Sequence, residues 1–466
     1  MMTTSGYKGS PSKALLGTTL GFFFGSAAVS LFGPFHDLFQ TQMQLSPTQV
    51  GLLIAIPSLT GSLLRIPFGA WVDSTGGKKP FFILLLLSVV GMIGMSILLT
   101  ATYPGKMEGM FPVILLLGCL CGCGIATFSP GIGQNSYWYS KDTQGKALGI
   151  FGGAGTLAPG IFALLLSVTM RALSVTHIYY LWAVLLIIGT ILYFFLSRNA
   201  PYFQFIKKGE TEEESKADAM KAGEQLFPVG GVIKSLGDSA KIGATWYLVI
   251  IYFCSFGGFL ALTAWLPTFW NVFFGLSPVL AGVLAALFSI LSALVRIPSG
   301  SWSDKIGGIK MIAYSMVLLF VSALVMAFSE NIVLSIFCLA VLAIALGMCN
   351  AATFKLVPRF ISKAVGGASG WVGGLGAFGG FLIPQIISVF IANEGKVGYR
   401  HGFWVFVVLA VVNVLILYFG MVIPERRKAK EAAEQPEKRV VTKQPSGPTP
   451  KQTSGKTPKN SKNPSK

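Results

Sequence analysis

The chain has 466 residues, of which 53% are hydrophobic and 12% charged; an ordinary soluble domain carries about 25% charged residues. That composition excludes a soluble globular protein, because so much apolar surface has no wet exterior to hide beneath. The net charge of +18 does not signal nucleic-acid binding, since Glu425 to Lys466 alone holds 12 Lys/Arg against 4 Asp/Glu, and a basic tail rich in Pro, Ser and Thr reads as solvated chain beside an anionic lipid leaflet.

A helix that crosses a bilayer needs about 20 apolar residues. After residues 1–13, a cytoplasmic N-terminus, such runs begin near Ala14, Gln49, Phe81, Phe111, Gly145 and His177, giving an N-terminal six-helix bundle over 14–198. The first run has no leader-peptide exit and flows straight into a long helix. Residues 199–245 follow as a cytoplasmic linker containing KKGETEEESKADAMKAGEQ, with a short amphipathic helix expected on the membrane surface. Six further runs begin near Trp246, Val279, Ile312, Ile332, Gly366 and Gly402 and fill a C-terminal bundle over 246–424. Residues 425–466 remain as a disordered basic cytoplasmic tail. The predicted fold class is an all-α membrane protein of twelve transmembrane helices in two pseudo-symmetric six-helix halves.

Loop charges give the orientation. Lys78/Lys79, Lys141/Lys146, Lys207/Lys208, Lys305/Lys310 and Lys355/Arg359/Lys363 fall in alternate loops, while the intervening loops carry only Lys106, Arg171, Lys396 and Arg400. Positive charge inside then places both termini in the cytoplasm, in what we expect is the plasma membrane. Six cysteines, at 119, 121, 123, 254, 338 and 349, all lie in apolar stretches and read as packing residues, with no metal site and no cofactor implied. His36 beside Asp37, at the outer end of the first span, is the one candidate for a proton-coupling group and otherwise reads as an interfacial pair.

An internal repeat carries the most information. GSLLRIPFGAWVDSTGGKK (61–79) and SALVRIPSGSWSDKIGGIK (292–310) align Arg65 with Arg296, Gly69 with Gly300, Asp73 with Asp304, and Gly76/Gly77 with Gly307/Gly308. FGGAGTLAP (151–159) on the fifth span likewise pairs with VGGLGAFGG (372–380) on the eleventh. Corresponding elements in two halves imply a pseudo-twofold axis with a substrate path between the halves. The G-x-x-x-D-x-x-G-[GK] pattern after the second and eighth spans resembles the loop motif of the major facilitator superfamily. The LLRIP/LVRIP and GGAG/GGLGAFGG pairs resemble its nitrate/nitrite porter branch, over roughly residues 14–424.

Arg65 and Arg296 each lie about two turns inside an apolar helix. An arginine at such depth costs about 2.5–3.5 kcal/mol and keeps its proton. No Asp or Glu falls in a span interior to pair with it, since Asp37, Asp73, Asp142, Asp304 and Glu330 lie near ends or in loops. Two forked guanidinium groups match a flat monovalent anion such as nitrate, clamped from both sides. An empty doubly charged site would cross a low-dielectric interior less readily than a loaded one, which favours nitrate/nitrite exchange over proton-coupled uptake.

On the fifth span Gly152, Gly153 and Gly155, and on the eleventh Gly373, Gly374 and Gly376, sit where a glycine costs about 0.8–1.0 kcal/mol relative to Ala. Close helix packing, with room to rock, compensates. The resemblance adds a binding role for these glycines. It also implies pocket aromatics at Phe128, Phe256 and Tyr252, a hydroxyl at Thr156 where the family commonly has Asn, and an access latch at Asp73 and Asp304. Those two aspartates are placed to pair with the neighbouring lysines or to cap helix ends. Which of Phe22, Phe23 and Phe24 serves from the first span stays open. No catalytic motif is present, and only three His occur. The alternatives are a related transporter of another small or organic anion and a non-transporting anion sensor. The expected partners are the anion and lipid, with no nucleic acid, and the expected state is a monomer.

Overall fold

A computed structural model describes residues 6–170, 172–228 and 230–427. The described residues up to Met421 belong to one compact unit. Residues 422–427, helical in conformation, belong to a second, and the remainder of the expected tail lies outside the described residues.

The spans are α1 (Pro11–Gly25), α2 (Gln49–Thr75), α3 (Lys78–Thr102), α4 (Phe111–Trp138), α5 (Gln144–Leu166), α6 (Val175–Leu196), α7 (Gly243–Phe274), α8 (Val279–Ile306), α9 (Gly308–Phe328), α10 (Ile332–Phe360), α11 (Val365–Glu394) and α12 (Gly398–Arg427). Eleven of these are long and apolar enough to cross a membrane. The first run differs from expectation: α1 stops at Gly25, continues as a 3-10 turn over Ser26–Val29, and resumes in a separate helix, His36–Met43. The Gly33-Pro34 pair between the pieces cannot carry a regular helix. His36 Nδ1 lies 2.8 Å from the Gly33 carbonyl oxygen, while the Asp37 side chain of the expected pair is outside the described residues.

Local signals explain the boundaries. Ser46 and Gln49 close a capping box before α2, and Ser277 caps the start of α8. Gly76 and Gly307, equivalent in the repeat, end α2 and α8 with φ of +75° and +91°, which a side chain would resist. Exposed apolar residues run at helical spacing along α3 (Leu86, Val90, Ile93, Ile97) and α9 (Tyr314, Val317, Val321), and α6 and α12 carry similar stripes. A wet surface does not tolerate such stripes, and lipid does. The protein is an integral membrane protein.

The two halves meet at two antiparallel crossings. Along α5/α8, a Cβ on Gly145 or Gly149 would come within 3.0 Å of the α8 backbone near Gly300 and Arg296, and one on Gly153 within 2.9 Å of the Ala293 carbonyl oxygen. Along α2/α11, a Cβ on Gly366, Gly370 or Gly374 would approach the backbones of Gly69, Ile66 and Ser62 just as closely. Both sets recur at the same interval, so the crossings are symmetric copies, and glycine is what permits them.

The linker holds three helices, not one: Pro201–Lys208, Glu212–Lys221 and Val232–Ala240. The third packs beneath the α2/α11 crossing, where Trp371 Nε1 donates to the Leu236 carbonyl at 3.2 Å. The α5/α8 crossing has no hydrogen bond of this kind from the linker among the described residues.

Candidate functional site

Midway along the crossings, Arg65 of α2 and Arg296 of α8 converge on one pair of rings. The guanidinium carbon of Arg65 lies 5.0 Å from the ring centre of Phe128 and 5.4 Å from that of Phe256; for Arg296 the distances are 5.3 and 5.9 Å. Both arginines are buried, at 3% and 2% exposure. Cation–π attraction offsets part of their lost hydration, by about 0.5–2 kcal/mol for each contact.

The rings stand as parallel plates. Phe128 and Phe256 are 6.0 Å apart and 8° from parallel, and Tyr252 stacks on Phe256 at 4.9 Å and 9°. A π-turn over Phe253–Gly257 interrupts α7 here, a deviation frequent at functional sites. Phe354 of α10 closes one side edge-on, 5.0 Å from Phe128 and 4.7 Å from Tyr252. Phe128 and Phe354 each end an Ala-Thr-Phe tripeptide, at 126–128 and 352–354, so they are copies of one position. This repeat was the signal by which the sequence would have revealed Phe354. Of the three α1 phenylalanines, Phe22 enters the cluster, 5.4 Å from Phe128 and 5.5 Å from Phe151.

The two arginines are not equivalent. Arg65 donates to the carbonyls of Gly373 at 3.0 Å and Ile125 at 3.2 Å. Arg296 makes no hydrogen bond to a backbone carbonyl among the described residues and its Nε is buried without a partner; the Tyr252 hydroxyl is the polar group that faces it. Among the described residues no carboxylate neutralises either: Asp73 and Asp304 lie two turns away along their helices.

The glycines divide by task. A Cβ on Gly152 would meet the Arg296 guanidinium at 2.6 Å, one on Gly155 would strike Phe22, and one on Gly376 would strike Tyr252. These three hold space open for site side chains. Gly373 supplies the carbonyl that anchors Arg65, whereas Gly153 and Gly374 face the opposing helix and serve the crossings. Thr156 borders the space beside Arg296, but its hydroxyl donates back to Gly152 and Gly153 of its own helix at 2.7 and 3.1 Å.

At the linker end, Asp73 accepts from the backbone N–H of Gly366 at 2.9 Å and of Gly367 at 3.1 Å, capping α11 of the other half. Tyr137 at 2.6 Å and Ser235 of the linker complete its shell. Asp304 caps α5 in the same way, accepting from Gly145 at 3.1 Å and Lys146 at 2.8 Å, and pairs with Lys355. The lysines adjoining the motif are not the partners: Lys78 donates to the Phe194 carbonyl, and Lys79 rests over Trp71. Helix-end capping prevails because the N-terminal N–H groups of α5 and α11 need acceptors in a dry interface, whereas a lysine can reach water.

The family model of the Major Facilitator Superfamily matches residues 18–384 and 273–458. The chain is similar to a probable nitrate transporter of Staphylococcus epidermidis, at 29% identity over 88% of this chain and 96% of that one. It is also 29% identical to a probable nitrate/nitrite antiporter of Thermus thermophilus, over 86% and 89% of the two chains. In fold it resembles a crystal structure of a double-tryptophan variant of XylE, with a TM-score of 0.73 and 13% identity over 88% of this chain and 96% of that one. The two repeated halves, the motif aspartates that cap across them and the family match together make this chain a member of the major facilitator superfamily, whose members are transporters and not enzymes.

Proposed function

We propose that the protein exchanges nitrate and nitrite across the membrane by alternating access, with the anion held between Arg65 and Arg296. The observation that carries this reading is the convergence of two buried, carboxylate-free guanidinium groups on the shared Phe128/Phe256 pair. The lining suits a flat oxyanion once the rings part beyond their 6.0 Å separation: they give dry, parallel walls, and the arginine forks give donors in its plane. The names of the relatives from S. epidermidis and T. thermophilus support nitrate and nitrite as the anions.

Exchange is favoured over proton coupling because no Asp, Glu or His side chain stands beside the arginines among the described residues. In this reading the linker end is cytoplasmic, in keeping with the Lys-rich loops gathered there, and the cell membrane is the site of action. The capped crossings then form the closed cytoplasmic gate, with Asp73 and Asp304 as its latch. Rocking of one half on the other would release both caps together.

Binding tests the reading directly. Nitrate should raise the melting temperature of detergent-solubilised protein, by mass action on the folded state. In Arg296→Lys the shift should vanish while the elution profile stays monodisperse; a full shift in that variant would refute the site.

A further inference from the structure

Beside Arg296 the packing leaves a narrow recess, too tight in this closed state to admit a water molecule, lined by Thr156, Phe259, Ser292, Ala293, Arg296 and Asn350. It lies on the side of the arginine layer away from the linker, since Ser292 precedes Arg296 by one turn in α8 and Phe259 follows Phe256 in α7. The Thr156 proton is already bonded within its own helix. Asn350 is different. It is 2% exposed, its side chain makes no hydrogen bond among the described residues, and its Oδ1 is buried without a partner.

An amide left unpaired in a dry interior is costly, and such groups call for a ligand or another explanation. The position also breaks the pseudo-symmetry. In the Ala-Thr-Phe repeat Asn350 aligns with Gly124, where an added Cβ would lie 2.1 Å from the Gly25 carbonyl oxygen. The N-terminal half therefore has no room for a matching amide, and Asn350 stands only beside the arginine that no backbone carbonyl holds.

We propose that Asn350 is a further substrate-binding residue, whose amide N–H donates to the oxyanion held at Arg296. This rests on the exchange reading above and deepens it. The amide has two N–H donors, and a half-turn of its plane presents them to the recess. The Arg296 fork engages two oxygens of the anion and Asn350 a third, which draws the anion toward the C-terminal half. Nitrate has that third oxygen and nitrite does not, so Asn350 favours nitrate over nitrite.

Wild type, Asn350→Leu and Asn350→Asp, reconstituted in nitrite-loaded or nitrate-loaded vesicles, test this. Asn350→Leu removes the donor at similar volume, and its KM for nitrate should rise about tenfold, with a smaller change for nitrite. Asn350→Asp is nearly isosteric but sets a carboxylate against Arg296, and should abolish uptake of both anions. A folded Asn350→Leu with unchanged nitrate KM, or with equal losses for both anions, overturns the assignment. So does an Asn350→Asp that transports like wild type, and that variant decides alone if Asn350→Leu does not fold. Wild-type protein that moves neither anion defeats the exchange reading itself and this proposal with it; an active wild type with an indifferent Asn350 defeats only the placement of the amide.

Discussion

Arg65 and Arg296 press on the same phenyl ring, but of the two only Arg65 is tied to backbone carbonyls among the described residues. The repeat makes these residues equivalent in sequence, and the packing makes them unequal. Arg65 ties α2 to α4 and α11 through the Ile125 and Gly373 carbonyls, whereas Arg296 faces the Tyr252 hydroxyl and leaves its buried Nε unpartnered.

That inequality predicts different failures. Lysine preserves charge but cannot fork to two oxygens. Arg296→Lys should lower nitrate transport at least tenfold with little change in melting temperature. Arg65→Lys should lose transport as well and also melt lower, because two buried carbonyls lose their donor. Transport assays paired with thermal unfolding in detergent read both.

Adjacent glycines should also separate. Gly152→Ala pushes a methyl group against the Arg296 guanidinium, which can swing aside, so the protein should assemble but bind nitrate poorly. Gly153→Ala meets the Ala293 carbonyl of the opposing backbone, which cannot yield, and should destabilise the α5/α8 crossing by about 1–3 kcal/mol. Nitrate titration and melting curves on the two variants should give opposite patterns.

The Asp304 cap should govern access. Asp304→Asn removes the charge that pairs with Lys355 and weakens the acceptor for Gly145 and Lys146. The linker end should then open more often. A cysteine introduced at Ser299, buried next to this crossing, should react several-fold faster with a hydrophilic maleimide in the Asp304→Asn background. Equal rates would remove Asp304 from the latch.

The linker supplies a pH prediction. Burial pushes the Glu224 carboxyl from 4.5 up to about 8; one oxygen accepts from the Tyr202 N–H and the other is buried without a partner. The folded protein therefore holds a proton, between about pH 4.5 and 8, that the unfolded chain has released. The stability this contributes is fully present below about 4.5 and is lost as pH rises through about 8. Glu224→Gln should flatten the fall in melting temperature across that window and be the more stable protein at pH 8.

The repeat made the architecture legible, and the same interval that aligns Arg65 with Arg296 aligns the aspartates and glycines of both crossings. The site aromatics Phe128, Tyr252 and Phe256 were reached by family resemblance, because among 36 phenylalanines no local pattern distinguishes one that faces an ion. Phe354 was within reach through the Ala-Thr-Phe repeat. Phe22 and Asn350 were not, since their significance lies in contacts with distant segments. Ser235 was hidden for a related reason: its short helix looks like surface linker until Asp73 and Gly367 are found beside it. The charge pattern near Asp73 and Asp304 left pairing with the adjoining lysines and capping of helix ends both open, and the unmet N–H groups of helices far along the chain decide for the caps.

The central claim, that an anion must occupy the arginine pair for the protein to turn over, is tested most directly by vesicles that hold nitrite, nitrate or neither. Isotopically labelled nitrate is added outside, at several imposed pH gradients. We predict rapid uptake into loaded vesicles, almost none into empty ones, and no dependence on the direction of the pH gradient. Sustained uptake into empty vesicles, driven by protons alone, would contradict it.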